Sequence, residues 1–269
     1  MKKLHFILAA VFFLVLAWSA FTWDHFTWIL ETAPGMAAFV VLALTFRRFR
    51  FTGFTYCFIL IHCIILFVGA KYTYAQVPLF NTLKDIFHMG RNNYDKVGHF
   101  AQGFIPAMVA RELILRLEVL KRRGWLVFFV VSVCLAVSAL YELIEWLTAE
   151  LSGEAADAFL GTQGYVWDTQ SDRLCAMVAR DLILRLEVLK RRGWLAFFVV
   201  SVCLAVSALY ELIEWLTAEL SGEAADAFLG TQGYVWDTQS DMLCALVGAI
   251  AMLVFFSRLQ DRAIAKTAL

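Results

Sequence analysis

The stretch WLVFFVVSVCLAVSALYELIEWL occupies residues 125–147, and residues 194–216 repeat it with one change, alanine in place of valine at the third position. A helix needs roughly 20 apolar residues to cross the hydrocarbon core of a bilayer. Each copy reaches that length, and its charged residues are two glutamates near the end. The stretch therefore predicts a transmembrane helix, present twice in the chain.

The composition extends this interpretation to the whole chain. Of the 269 residues, 61% are hydrophobic, whereas soluble domains are roughly half apolar, so membrane lipids are the expected partners. The formal net charge of zero provides no basic surface for nucleic acid. The six cysteines lack CxxC spacing, which favours small core residues over disulfides or a zinc site. No cofactor motif is present, and the sequence leaves metal binding and oligomeric state undetermined.

Eight segments meet or approach the length of a membrane span, which predicts an all-α polytopic membrane protein with eight transmembrane helices. The first is interpreted as an uncleaved span, because it is longer than the apolar region of a typical signal peptide. Charged residues interrupt the fourth and sixth segments, which are the weakest. The segments are 4–23, 26–46, 54–70, 99–120, 125–147, 174–189, 194–216 and 242–257.

Basic clusters predict the orientation of these spans. All of them fall on one side of the eight-span arrangement, and lysine and arginine are enriched in cytoplasmic loops. Both termini are therefore predicted to be cytoplasmic. The clusters are Lys2 and Lys3; Arg47, Arg48 and Arg50; Lys121, Arg122 and Arg123; Lys190, Arg191 and Arg192; and Arg258, Arg262 and Lys266.

A tandem repeat lies inside what we interpret as a single membrane domain, residues 1–269. Residues 107–175 and 176–244 align at an offset of 69 with three mismatches, Glu112/Asp181, Val127/Ala196 and Arg173/Met242. Ancient repeats keep a pattern and lose identity, so this repeat is a recent or engineered duplication. It copies two spans, which leaves the direction of the last helix unchanged. We expect one helix pair to fill the parent core and the other to pack peripherally or to extend the bundle.

Acidic residues and one histidine collect at the outer ends of the predicted spans. Asp95 and His99 are four residues apart and share a helix face, although Asp95 also fits a helix N-cap. The other candidates belong to the copied segments: Glu142, Glu145, Asp168 and Asp172 in the first, with Glu211, Glu214, Asp237 and Asp241 in the second. One histidine cannot serve two carboxylate sets, so we expect one copy to be active.

These residue types suggest two kinds of chemistry. A cluster of carboxylates and a histidine holds a divalent cation, or supplies a general acid and base to a phosphate-bearing lipid or carrier. The alternative is that the glutamates lie at the membrane surface in water, since the span ends within a turn of Glu145.

Several motifs together resemble the YjdF family of bacterial inner-membrane proteins. They are YDKVGHF at residues 94–100, YELIEW at 141–146, GTQG at 161–164 and WDTQ at 167–170. More loosely, the order of Asp, His, Glu and Asp along the chain is similar to that of VanZ-like membrane proteins. The resemblance implies a bacterial inner-membrane location, a six-span parent and an unknown function; the VanZ-like group is linked to glycopeptide resistance.

Three functions remain open from the sequence. The first is an envelope protein that handles a lipid head group or lipid carrier through the His/Glu/Asp cluster. The second is a transporter or proton-coupled carrier that uses the same carboxylates as a relay. The third is a purely structural role for the duplication.

Overall fold

A computed structural model describes residues 2–22, 24–152, 172–221 and 237–267. In these ranges the chain is built from α-helices, two short 3₁₀ turns and one π-helical turn, Met252–Phe256. No β-strand occurs within them, which agrees with the all-α prediction. The helices are α1 (Lys2–Ser19), α2 (His25–Thr45), α3 (Gly53–Lys71), α4 (Pro78–Ile86), α5 (Tyr94–Arg116), α6 (Leu126–Ser152), α7 (Asp172–Arg185), α8 (Leu195–Ser221), α9 (Asp237–Ala251) and α10 (Ser257–Thr267).

Four helical segments of the described residues are long and apolar enough to cross a membrane. They are Trp28–Thr45, Gly53–Lys71, Arg123–Glu142 and Gln239–Thr267; Lys3–Ser19 and Leu195–Val206 are shorter apolar helices. Buried charges on α5 lower its hydropathy, and α7 has 14 residues, about 21 Å of helix. The fold is thus that of a helical membrane protein with at least these four candidate spans.

Helix α4 was not predicted, because it is too short and too polar to be read as a span. Pro78 stands at its start, where the missing backbone N–H costs nothing. Leu79 and Ile86 are exposed, so α4 carries apolar side chains on its surface, as helices at a membrane surface do.

The described chain forms two compact units. The first comprises residues 1–101 and 254–269, and the second comprises residues 102–253. In the first unit, α1 and α2 pack on α3 around Phe12, Cys63, Leu66 and Phe67.

The second unit contains the whole repeat. Its core joins α6, α8 and α9 through Leu135, Ala205, Ala208, Leu212 and Met242. Small residues on α8 allow the helices to approach closely, which supports van der Waals packing in a membrane.

The loops that precede α6 and α8 pair with each other. Lys121 N–H donates to Val188 O (2.8 Å), and Lys190 N–H donates to Val119 O (2.7 Å). Between these bonds, Leu120 and Leu189 form an isolated antiparallel bridge. Residue numbers that differ by 69 are equivalent in the repeat, so each bond becomes the other when the two copies are exchanged.

Two ion pairs between side chains of the loops are also equivalent under exchange of the two copies. Lys121 Nζ lies 2.7 Å from a carboxylate oxygen of Glu187, and Lys190 pairs in the same way with Glu118. The hydrogen bond and the charge of Lys190 lower the pKa of Glu118. This stabilisation is present above the ordinary carboxyl pKa and is lost as the pH falls through the lowered value. Both pairs are solvent-exposed, so they fix the register of the loops and add little stability.

An aromatic contact continues the pairing into the helices. The rings of Phe129 and Phe198, equivalent residues of α6 and α8, lie 4.2 Å apart between centroids. Both side chains are fully buried. Because the loops and the first turns make matching contacts, α6 and α8 start side by side and run in the same direction.

We expect the double variant Leu120→Cys, Leu189→Cys to form an intrachain disulfide on mild oxidation. In an antiparallel bridge flanked by hydrogen bonds, the Cα atoms are about 4.5 Å apart, which is within the range of a disulfide. Proteolysis between the two positions, followed by non-reducing electrophoresis, checks the link. The matched control is Gly124→Cys, Gly193→Cys, since an added side chain at either glycine meets nothing within 4 Å. Equal cross-linking in both variants would contradict the paired loops.

Candidate functional site

The start of α5 holds Asp95 in an ion-pair cluster. Arg91 donates to Asp95 one turn later, and Lys96 Nζ lies 3.3 Å from the same carboxylate. The N-cap alternative for Asp95 is wrong, because Asp95 is the second residue of the helix. Asn92 does the capping: its side-chain oxygen accepts from Tyr94 N–H at 3.1 Å.

Aromatic packing fixes this end of α5 within the first unit. The ring of Tyr74 contacts Gly69 of α3 and Gly98 of α5 so closely that a Cβ at Gly69 would overlap it. The Tyr94 hydroxyl donates to Ile65 O at 3.0 Å. His99 follows one residue after Gly98 and is partly buried, so this packing sets the position of His99 along the helix.

Within the second unit, α5 and α9 touch at their backbones. A Cβ atom on Gly103 would overlap the backbone carbonyl group of Ala245, and Ala245 is fully buried. Gly103 is therefore required by the close approach of the two helices. Gly103 lies one turn after His99 on α5, and Ala245 lies one turn after Asp241 on α9.

Two of the predicted site residues meet in the second unit. Carboxylate oxygens of Glu142, on α6, and Asp241, on α9, lie within 4.8 Å of each other. Asp241 is 6% exposed and Glu142 is partly buried. Two carboxylates this close together offer oxygen ligands to one divalent cation. The pair combines the glutamate of the first copy with the aspartate of the second copy.

Three further polar side chains of the second unit, on α5, α6 and α9, have buried atoms without a hydrogen-bond partner among the described residues. Gln102 Nε2, Ser138 Oγ and Gln239 Oε1 are buried and make no hydrogen bond to any residue the structure describes. Ser138 lies one turn before Glu142, and Gln239 lies two residues before Asp241. Leaving a buried donor or acceptor unpaired costs about 1–3 kcal/mol, which a polar ligand or water would recover.

The remaining candidates cannot be compared with these positions. Asp168 lies outside the described residues. The backbone of five others is described and is helical, but their side chains are not; they are Glu145, Asp172, Glu211, Glu214 and Asp237. The assignment of these residues to the site therefore stays a prediction.

Further along α5, charged side chains are buried. Arg111 and Glu112 are 6% and 0% exposed, and Arg116 Nη1 lies 2.8 Å from Glu112 Oε1. In the structure, Glu112 has a partner on its own helix, one turn later.

Comparisons with known proteins agree with the resemblance stated from the motifs. The family described as "Predicted membrane protein (DUF2238)" matches residues 4–179 and, a second time, residues 173–262. The inner membrane protein YjdF of Escherichia coli (strain K12) is 47% identical over 155 residues, which cover 58% of this chain and 74% of that protein. No solved structure matches the chain. The second family match falls on the copied unit, and the first spans more than half of the chain: the chain belongs to the DUF2238 family of predicted membrane proteins.

Proposed function

We propose that the chain crosses the bacterial inner membrane eight times, with both termini in the cytoplasm. The Escherichia coli relative is named as an inner membrane protein, which supports the location. The paired loops bring the basic clusters of both copies to the same end of α6 and α8, as the positive-inside rule requires of a cytoplasmic surface. The outer ends of these helices then carry Glu142 and its second-copy equivalent.

We propose further that an outward-facing site containing Glu142 and Asp241 binds a divalent cation and, through it, the phosphate of a lipid head group or lipid carrier. The observation that carries this proposal is the approach of Glu142 and Asp241 to within 4.8 Å. The site therefore takes its glutamate from the first copy, and Glu211 is the spare.

The charge of the site explains why a cation is needed. A phosphate group is anionic and is repelled by two carboxylates, but a bound divalent cation reverses the local charge. Carboxylate oxygens suit Mn²⁺ or Mg²⁺. The hydroxyl of Ser138 can then donate to a phosphate oxygen, and the amide oxygen of Gln239 can accept from water on the metal; neither atom has a hydrogen-bond partner among the described residues.

Mn²⁺ binding tests the proposal. The purified full chain in nanodiscs is titrated with Mn²⁺ alone and with Mn²⁺ plus a polyprenyl phosphate, and free Mn²⁺ is followed by electron paramagnetic resonance. Glu142→Gln should weaken Mn²⁺ binding about 10- to 100-fold or more, since one charged ligand is lost. The matched control is Glu211→Gln, which makes the same change in an identical local sequence and should bind like the unmodified chain.

The outcomes separate the alternatives. Equal loss of affinity in both variants, or Mn²⁺ binding that survives Glu142→Gln, contradicts the proposed site. Mn²⁺ binding without enhanced polyprenyl phosphate retention keeps the cation site and removes the phosphate-bearing ligand.

A proton-coupled carrier is the second candidate. Gln102, Arg111 and Glu112 are all buried along α5, and ionisable residues inside a span mark proton or substrate pathways. No Mn²⁺ binding by the unmodified chain, together with proton uptake by proteoliposomes that contain it, would favour this candidate.

A further inference from the structure

The contacts between the two copies of the repeat have the form of a two-fold symmetric interface. The bonds from Lys121 to Val188 and from Lys190 to Val119 exchange when the copies exchange. Phe129 and Phe198, which contact each other, are equivalent residues. An interface that maps onto itself in this way is isologous, which is the arrangement of homodimers with two-fold symmetry.

We infer that residues 118–121 and Phe129 form a homodimerisation surface of the single-copy chain, and that the second copy occupies it internally in the duplicated chain. This repeat interface is independent of the proposed cation site. The mismatches between the copies, at 112/181, 127/196 and 173/242, lie outside residues 118–121 and Phe129, so the contacts of this surface can form between two first copies. Met242 belongs to the core that joins α6, α8 and α9, and its first-copy equivalent is Arg173.

The parallel direction of α6 and α8 allows the same contact to form between two chains inserted in one membrane. Because α6 and α8 start side by side at their paired loops, the axis that relates the copies runs along the helices. Two chains inserted with the same orientation share an axis of that direction, perpendicular to the membrane plane. If α6 and α8 were antiparallel, their contact could not form between two chains inserted in the membrane with the same orientation.

Packing favours association when no second copy is present. Phe129 is fully buried and lies against Phe198, so a single-copy chain would expose this ring to lipid. Helices in a membrane associate through such van der Waals contacts. In the duplicated chain the internal partner is covalently attached at a millimolar effective concentration, so it excludes a second chain.

Deletion of residues 176–244 gives a single-copy chain for the test. The deletion joins Cys175 to Ala245 in place of Cys244, and Arg173→Met is added so that the sequence before the junction matches that of the full chain, where Met242 stands. Leu120→Cys is then introduced, because Leu120 should face its own equivalent in the second chain as it faces Leu189 here. Purified membranes are oxidised mildly and analysed on non-reducing gels, and the purified protein is sized by light scattering in detergent.

We expect a dimer in detergent and at least 10-fold more covalent dimer from Leu120→Cys than from the control Gly124→Cys in the same deletion chain. Gly124 lies in the same loop, and an added side chain there meets nothing within 4 Å. The deletion chain without a new cysteine measures the background from native thiols. Leu120→Cys in the full chain should give background dimer only, since Leu189 covers that position.

Three results would overturn the inference. They are a monomeric deletion chain, equal cross-linking at positions 120 and 124, and intermolecular cross-linking of the full chain as strong as that of the deletion chain. A deletion chain that does not fold counts against it equally, because the inference requires the single-copy chain to stand as a dimer.

Discussion

Replacing Gly103 with leucine is expected to lower the thermal midpoint of the detergent-solubilised protein by about 10 °C, or to prevent its accumulation. Even the first added carbon atom would overlap the backbone of Ala245. A backbone atom cannot swing aside as a side chain does, so α5 and α9 must separate. Overpacking typically costs about 1–3 kcal/mol, and for a chain of this size each kcal/mol shifts the midpoint by roughly 2–4 °C.

The matched control is Gly124→Leu, where an added Cβ meets nothing within 4 Å. It should change the midpoint by no more than about 2 °C, in line with an exposed substitution. Fluorescence-detected size exclusion after heating measures both variants. A Gly103→Leu protein as stable as the control would show that the helices do not touch at this point.

Much of the fold follows from hydrophobic runs, because a bilayer demands long apolar helices. Residues 125–147 and 54–70 were predicted as spans and overlap helices that are long and apolar enough to cross. Helices α5 and α7 are harder to predict as membrane spans, because charged residues such as the buried Glu112 of α5 interrupt the hydrophobic run. Whether a helix with such charges crosses the membrane depends on partners that the pattern does not reveal, and Arg116 is one of them.

The pairing between the loops of the two copies could not be predicted from the sequence, for a different reason. Hydrogen bonds between Lys121 and Val188 use backbone atoms, which every residue except proline offers. Identical copies also give identical patterns, so no local signal distinguishes Glu142 from Glu211. The choice between them depends on which helix α9 packs against beside Asp241, and this is a property of the tertiary structure.

The buried polar atoms of Ser138 and Gln239 could not be predicted from the sequence either, because their surroundings depend on the tertiary structure. Serine in an apolar helix usually bonds to its own backbone, so nothing in the sequence predicts that the Ser138 hydroxyl lacks a partner among the described residues. Gln239 lies in the first turn of α9, where polar residues are common.

Neutralising one carboxylate of the pair is expected to stabilise the metal-free protein while abolishing its response to metal. Glu142 and Asp241 approach within 4.8 Å, and two negative charges at that distance repel by about 3 kcal/mol at an effective dielectric constant of about 20. Glu142→Gln removes this repulsion and keeps the shape of the side chain. In EDTA, its thermal midpoint should therefore rise by about 3–10 °C, the equivalent of 1–3 kcal/mol.

With Mn²⁺ added, the unmodified chain should have a higher thermal midpoint than Glu142→Gln. The unmodified chain gains stability as the cation binds the folded state, by about 2.7 kcal/mol when free Mn²⁺ is 100 times its dissociation constant, and Glu142→Gln gains little. Glu211→Gln is the matched control and should follow the unmodified chain in both buffers. A Glu142→Gln protein that is less stable than the unmodified chain in EDTA would mean that Glu142 is held by a favourable contact rather than opposed by Asp241. Functional sites commonly retain such opposed charges at the expense of stability, so the rise in EDTA and the lost response to Mn²⁺ together distinguish a ligand site from a structural pair.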